Sequence, residues 1–82
     1  MLPLSFAKSG RYRVKAIRGG RGLINRLISI GIVEGDEIEV MENSRGPVLI
    51  AKGELRVALG LGMAHKVWVE PLEPEDVSDG GG

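Results

Sequence analysis

Glycine is the feature that most limits how this chain can fold. Glycine occupies 13 of the 82 positions, more than twice the roughly 7% of average usage. Outside the C-terminal Gly80–Gly82, the glycines separate short apolar segments and form no repeat. Because each glycine inside a helix costs about 1 kcal/mol relative to alanine, long helices are disfavoured. Short segments between glycine turns are typical of a small β protein.

Alternation of polar and apolar residues predicts where the strands lie. In the first alternating segment, Tyr12, Val14 and Ala16 share one face, and the basic residues between them share the other. Ile38 and Val40 point inward in the second segment by the same rule. Five strands are predicted, over residues 11–17, 36–41, 48–51, 54–57 and 66–70, with a tight hairpin at 52–53 and Pro71 after the last strand.

Helical periodicity is confined to two short segments. Apolar residues between positions 23 and 28 recur with the spacing of one helix face. Gly31 then predicts a Schellman cap, in which Ile32 folds back onto Leu27. Residues 58–65 predict a second helix or a distorted turn, because two glycines interrupt them.

Size limits both the architecture and the kind of function. Residues 1–71 are predicted to form one domain and residues 72–82 an acidic, glycine-ending, solvated tail. A core of this size leaves little room for a deep catalytic cleft, which favours a non-enzymatic protein. The predicted fold is mainly β, a small SH3-like barrel of about five strands with one or two short helices. An OB-like barrel is the alternative, because alternation does not reveal strand order.

Residue types that carry redox, metal or membrane chemistry are scarce. The chain has no cysteine and a single histidine, His65, so disulfides and thiolate sites are excluded and a metal site at His65 is disfavoured. No apolar segment approaches the roughly 18 residues of a membrane span. The N-terminus does not resemble a signal peptide, so we expect a cytoplasmic protein that does not insert into the membrane and needs no cofactor.

The charge is balanced overall and uneven along the chain. The first 33 residues contain seven basic residues and no acidic one, whereas the segment from Glu70 onward contains five acidic residues and no basic one. The basic half raises the alternative of nucleic-acid binding. A formal net charge of zero and only three aromatic residues argue against it.

Acidic residues alternate with apolar ones in the second predicted strand. Glu37 and Glu39 share a face, which would suit acid–base chemistry or a hard cation. Arg11, Arg13 and Lys15 alternate in the same way on the first strand. If the two strands are neighbours, cross-strand ion pairs account for both patterns, and this interpretation is favoured.

Two further features are candidates for contacts. The glycine-rich segment 18–22 precedes the first helix, where backbone N–H groups favour an anion. It lacks the Gly-Lys-Ser/Thr ending of a P-loop, which favours a flexible connection carrying two exposed arginines, Arg18 and Arg21. Trp68 lies on the face opposite Val67 and Val69, where it either contacts a partner or covers the hairpin.

One stretch resembles a known family. Residues 26–40, RLISIGIVEGDEIEV, combine two turn glycines with regularly spaced aliphatic residues, and this pattern is similar to the FeoA family. The N-terminal Leu-Pro-Leu, Gly46-Pro47, the hairpin at Gly53 and the valine-rich last strand extend the resemblance over about residues 2–70. The Gly60–Gly62 segment departs from the family, in which many members carry a charged or helix-forming residue there.

The resemblance implies a fold and a role. FeoA-like domains are SH3-like barrels, and a free-standing copy implies a cytosolic accessory protein of ferrous iron transport that acts on FeoB, the membrane iron transporter. The alternative, from another class of function, is a metal-sensing module that binds Fe(II) through His65 and carboxylates. An exposed strand edge would also allow weak pairing of two copies. The expected partner-binding residues are Arg18, Arg21, Leu61, Met63 and Trp68, and no catalytic residue or metal ligand is expected.

Overall fold

The computed structural model describes residues 1–44 and 46–72 of the chain, so the predicted tail is outside the description from residue 73 onward. The described residues form six strands, two α-helices and a 3-10 turn. In chain order these are β1 (Leu2–Pro3), the 3-10 turn (Leu4–Phe6), β2 (Gly10–Ile17), α1 (Arg21–Ser29), β3 (Glu37–Glu42), β4 (Val48–Lys52), β5 (Leu55–Leu59), α2 (Leu61–Ala64) and β6 (Val67–Pro71).

All the strands belong to one antiparallel sheet. Its order is β1-β6-β2-β3-β4-β5, so the last strand in sequence lies between the first two. The remaining strands follow one another as in a meander. The sheet wraps around a single apolar core, and the predicted SH3-like barrel is confirmed. Each of the five predicted strands is present, with ends that differ by one or two residues.

Aliphatic side chains from the strands and from α1 fill the core. Val14, Leu27, Val40, Ile50 and Val69 are at most 1% exposed. Among the described residues no polar or charged side chain is buried. Fully burying one such side chain stabilises the fold by about 1.5–3 kcal/mol, so burial of these aliphatic groups is the main source of stability in a chain without disulfides.

A β-bulge in β2 changes the predicted facing of one residue. Val14 lies opposite Val69, but the next paired residue is Ala16, opposite Trp68, so Lys15 is the extra residue. Ile17 rather than Ala16 therefore continues the inner face, and it packs against the core. The prediction that Ala16 points inward was wrong, because strict alternation along the sequence contains no signal for a bulge.

The C-terminal end of α1 has the predicted Schellman geometry. The N–H of Ile32 donates to the carbonyl of Leu27 at 2.9 Å, and the N–H of Gly31 donates to the carbonyl of Ile28 at 2.9 Å. Gly31 has φ +98°, a conformation that favours glycine. Leu27 and Ile32 are both buried, as the cap prediction required.

The N-terminal segment and the segment before β6 were less well predicted. Residues 2–6 form β1 and the 3-10 turn, neither of which has a recognisable period, yet Leu4 is fully buried. The side-chain amide of Asn43 donates to the carbonyls of Ser5 at 3.0 Å and Ala7 at 2.8 Å, which fixes this segment on the barrel. Of residues 58–65, only Leu61–Ala64 are helical, because β5 extends to Leu59.

Candidate partner-binding surface

The short helix α2 lies between two shallow grooves, which we call the α2 grooves. The first separates α2 from the 3-10 turn, and the second separates α2 from the start of α1. The first is lined by Ser5, Phe6, Leu61, Gly62, His65 and Lys66. The second is lined by Gly19, Gly20, Gly22, Leu23, Arg26, Gly62, Met63 and Lys66. Gly62 and Lys66 line both, so the two grooves form one continuous surface.

Large apolar side chains are exposed along the first groove. Phe6 is 67% exposed and Leu61 is 48% exposed. The ring of His65 meets the ring of Phe6 edge-on, with centroids 5.9 Å apart. Met63 is half-buried and packs against the core from the second groove. Phe6 and Leu61 together give the first groove an exposed apolar lining.

The charged side chains of the α2 grooves are all basic. Lys66 lines both grooves and Arg26 lines the second. Among residues 1–44 and 46–72, no carboxylate lines either groove. A surface with exposed apolar groups and a basic rim favours a partner that carries carboxylates beside apolar side chains.

Arg18 and Trp68 form a second contact area beside the grooves. The guanidinium carbon of Arg18 lies 4.9 Å from the centroid of the Trp68 ring, within the range of a cation–π interaction. Trp68 is half-buried and pairs with Pro3 and Ala16 in the sheet. The backbone N–H of Arg18 donates to the carbonyl of Lys66 at 2.7 Å, which joins this area to the α2 grooves.

The predicted contact residues thus occupy three places. Leu61 and Met63 belong to α2 and line one groove each, Arg18 and Trp68 stack on each other, and Arg21 is exposed as the first residue of α1 without lining either groove. Sequence reasoning missed Phe6, Arg26 and Lys66. Phe6 is in a segment without periodicity, and the place of the two basic residues on a shared surface depends on tertiary packing.

Of the two alternating carboxylates on β3, Glu37 forms the favoured cross-strand pairs. Glu37 accepts hydrogen bonds from Arg11 at 3.2 Å and from Arg13 at 2.9 Å across the β2–β3 pair. The Nζ of Lys15 lies 3.6 Å from the Oε1 of Glu70 on β6. These groups are exposed, so each pair contributes less than about 1 kcal/mol. They account for the charge pattern that would otherwise suggest acid–base chemistry.

His65 has local partners on the 3-10 turn. Its Nδ1 lies 3.1 Å from the hydroxyl oxygen of Ser5, and its ring contacts Phe6. Among the described residues, no group of three His, Cys, Asp or Glu side chains is placed to hold a metal ion. The described residues therefore provide no cluster of ligands that would support the metal-sensing alternative.

A polar cluster fixes the C-terminal end of α1 on the barrel. The ammonium of Lys52 donates to the carbonyl of Gly31 at 2.6 Å and to the carboxylate of Asp36 at 2.8 Å. The same carboxylate accepts the N–H of Val33 at 2.8 Å. Burial raises the pKa of Asp36, but the hydrogen bonds from Lys52 and Val33 and the Lys52 charge outweigh it and lower the pKa.

The fold and the exposed α2 grooves define a class, a small SH3-like barrel with a surface suited to a protein partner. The family model for the FeoA domain matches residues 2–71. The chain is also 43% identical over 74 residues to the putative Fe(2+) transport protein A of Methanocaldococcus jannaschii, covering 89% of this chain and 90% of that protein. The chain therefore belongs to the FeoA family.

Solved structures agree with this assignment. A crystal structure of an iron uptake regulatory protein (FeoA) superposes with a TM-score of 0.78 at 39% identity, over 87% of this chain and 96% of that one. The manganese regulator SloR superposes with a TM-score of 0.80 at 19% identity, over 87% of this chain but 34% of the regulator. The second likeness shows the fold alone.

The described part of the chain contains no helix that is both long enough and apolar enough to cross a bilayer.

Proposed function

We propose that this protein is a non-enzymatic accessory of ferrous iron transport that docks on the cytosolic part of an FeoB-type membrane transporter and modulates it. Family membership and the 43% identity to a protein named for Fe(2+) transport support the transport role. The observation that carries docking is the exposed surface at α2, where Phe6 and Leu61 lie beside Lys66. The stacked Arg18–Trp68 pair extends that surface.

Modulation follows from docking under one physical condition. An accessory protein shifts a transporter between states only when it binds one state more tightly than the other. The barrel is small and its core is closely packed, so we propose that it acts as a rigid body that recognises one arrangement of the transporter's cytosolic part. In this role the barrel contributes binding energy and carries out no chemical step.

A pull-down with the cytosolic part of the cognate FeoB-type transporter tests the proposal. The wild-type protein is expected to be retained, and the Trp68→Ala, Arg21→Glu double variant to lose most of the retention. Arg56→Glu is the matched control, because Arg56 is an exposed arginine on β5, which three strands separate from β6 and Trp68 in the sheet order. Thermal melting of each variant shows that the barrel is folded. Equal retention of wild type and double variant would remove Trp68 and Arg21 from the docking surface.

A further inference from the structure

Two glycines on the α2 grooves have no role in the fold. Gly22 lies within α1 and Gly62 within α2, where glycine is less favourable than alanine. Neither has a positive φ, and a Cβ added at either position would meet no atom within 4 Å apart from those of its chain neighbours and of the helix's own backbone. Gly19 differs, because a Cβ there would overlap the side chain of Leu23. Packing against Leu23 therefore favours glycine at position 19, whereas neither packing nor a positive φ explains the glycines at positions 22 and 62.

The absence of a side chain at these positions exposes backbone inside a groove. Gly62 lines both grooves, between Leu61 on one side and Met63 on the other. A glycine in such a place lets another main chain approach closely. The exposed Phe6 and Leu61 lie beside this backbone, and Lys66 lies at the junction of the two grooves.

We infer that the α2 grooves take a segment of the partner protein that carries carboxylates beside apolar side chains, with its main chain passing over Gly62. Its apolar side chains contact Phe6 and Leu61, and its carboxylates pair with Lys66 and Arg26. Among the described residues, the charged groups that line the grooves are basic, so the charge of the surface favours an acidic segment. The inference rests on the proposed function, since it specifies how the transporter's cytosolic part is held.

A basic and apolar surface could also bind an anionic membrane, and the glycines distinguish the two occupants. A bilayer contact uses side chains that project into the lipid and gains nothing from a bare backbone in a groove. A protein segment gains from it, because a small residue lets two backbones pack closely and fill the groove. The position of Gly62 therefore favours a protein segment.

A binding assay with all 82 residues of the chain tests the inference. The ligands are overlapping peptides from the cytosolic part of the cognate transporter, and that cytosolic part itself. Gly62→Ala is expected to weaken binding by roughly tenfold or more, because the added methyl would hold the main chain of the partner away from the groove. Its thermal stability should be equal to or higher than that of wild type. The bound peptides should be those with acidic and apolar residues together.

Two further variants complete the design. Gly60→Ala is the matched control, because Gly60 precedes α2, has no atom within 4 Å of an added Cβ and lines neither groove. It should bind within about twofold of wild type, as expected for a position outside the contact. Lys66→Glu should weaken binding and reduce its dependence on salt. This second variant keeps the inference testable if Gly62→Ala does not fold.

The possible results separate the two proposals. Wild-type binding that Gly62→Ala and Lys66→Glu leave unchanged would overturn the groove inference while docking stands. Absence of wild-type binding to any part of the transporter would overturn both. Vesicles of phosphatidylcholine and phosphatidylglycerol serve as the lipid probe. A further result is binding of the protein to these vesicles through Leu61 and Lys66 and to none of the peptides. That result would overturn the inference and identify a membrane as the occupant of the grooves.

Discussion

The two ends of α1 are built in opposite ways. At the C-terminal end, Gly31 adopts φ +98°, its carbonyl accepts a hydrogen bond from Lys52, and a Cβ in its place would lie 3.2 Å from Leu55. At the N-terminal end, the capping residue Gly20 has no side chain to cap the helix, and a Cβ added at Gly22 would meet no atom within 4 Å beyond its chain neighbours and the helix's own backbone. Glycine thus allows a left-handed backbone conformation at the C-terminal end of α1, whereas at the N-terminal end it leaves the second of the α2 grooves without a side chain.

The largest expected effect is at the C-terminal end. Gly31→Ala forces a residue with a Cβ into the left-handed region and pushes it towards Leu55, so the free energy of unfolding should fall by about 2 kcal/mol. Urea denaturation followed by Trp68 fluorescence measures this change. A loss below about 0.5 kcal/mol, the range of ordinary surface substitutions, would show that this end of α1 is not fixed by its glycine.

Lys52→Met tests the polar cluster at the same end. The substitution keeps an unbranched apolar side chain and removes the ammonium that donates to Gly31 and Asp36. Hydrogen bonds to charged groups contribute about 1.5–3 kcal/mol, and Lys52 is partly exposed, so we expect a loss of about 1.5 kcal/mol in urea denaturation. Arg56→Met is a suitable control, because within the described residues its guanidinium donates to the backbone carbonyls of Gly53 and Leu55 and to no side chain. An equal loss in both variants would contradict a special role for Lys52.

Gly22→Ala tests the other end and should act in the opposite direction. Alanine favours the helix and meets no neighbouring atom, so the free energy of unfolding should rise by about 0.5–1 kcal/mol. The rise is measured by the same urea experiment. A decrease in stability would mean that Gly22 is needed by the fold and that the two ends of α1 are alike.

The smallest expected effect concerns pH. Because the pKa of Asp36 is lowered in the folded state, its carboxylate stabilises the protein above its unfolded pKa of about 3.9, and this contribution is lost as the pH falls through the folded value. Asp36→Asn should therefore lower the melting temperature at pH 7 and lower it progressively less below about pH 4. A difference in melting temperature that is constant across this pH range would exclude the ionised Asp36–Lys52 pair as its source.

The same contrast explains which features the sequence could predict. The end of α1 at Gly31, the inner positions Ile38 and Val40 and the hairpin at Gly53 follow from local rules of capping, alternation and turns, and all were confirmed. The β2 bulge was not predictable, because strict alternation carries no sign of an inserted residue.

The candidate site was predictable only in part. Leu61 and Met63 were expected to contact a partner, and each lines one of the α2 grooves, although binding by them stays a prediction. Phe6 and Lys66 are separated by 60 positions in the chain and meet at one groove only after β1, the 3-10 turn and β6 come together. Surfaces assembled from distant segments leave no periodic pattern in a single sequence.

The affinity of Gly22→Ala for the cytosolic part of the cognate FeoB-type transporter tests the central claim most directly. This variant is expected to be more stable than wild type and yet to bind more weakly, by roughly fivefold or more, because the added methyl occupies the second of the α2 grooves. Affinity equal to that of wild type, in a variant of equal or greater stability, would contradict the claim that the glycines at this end of α1 keep a binding surface open.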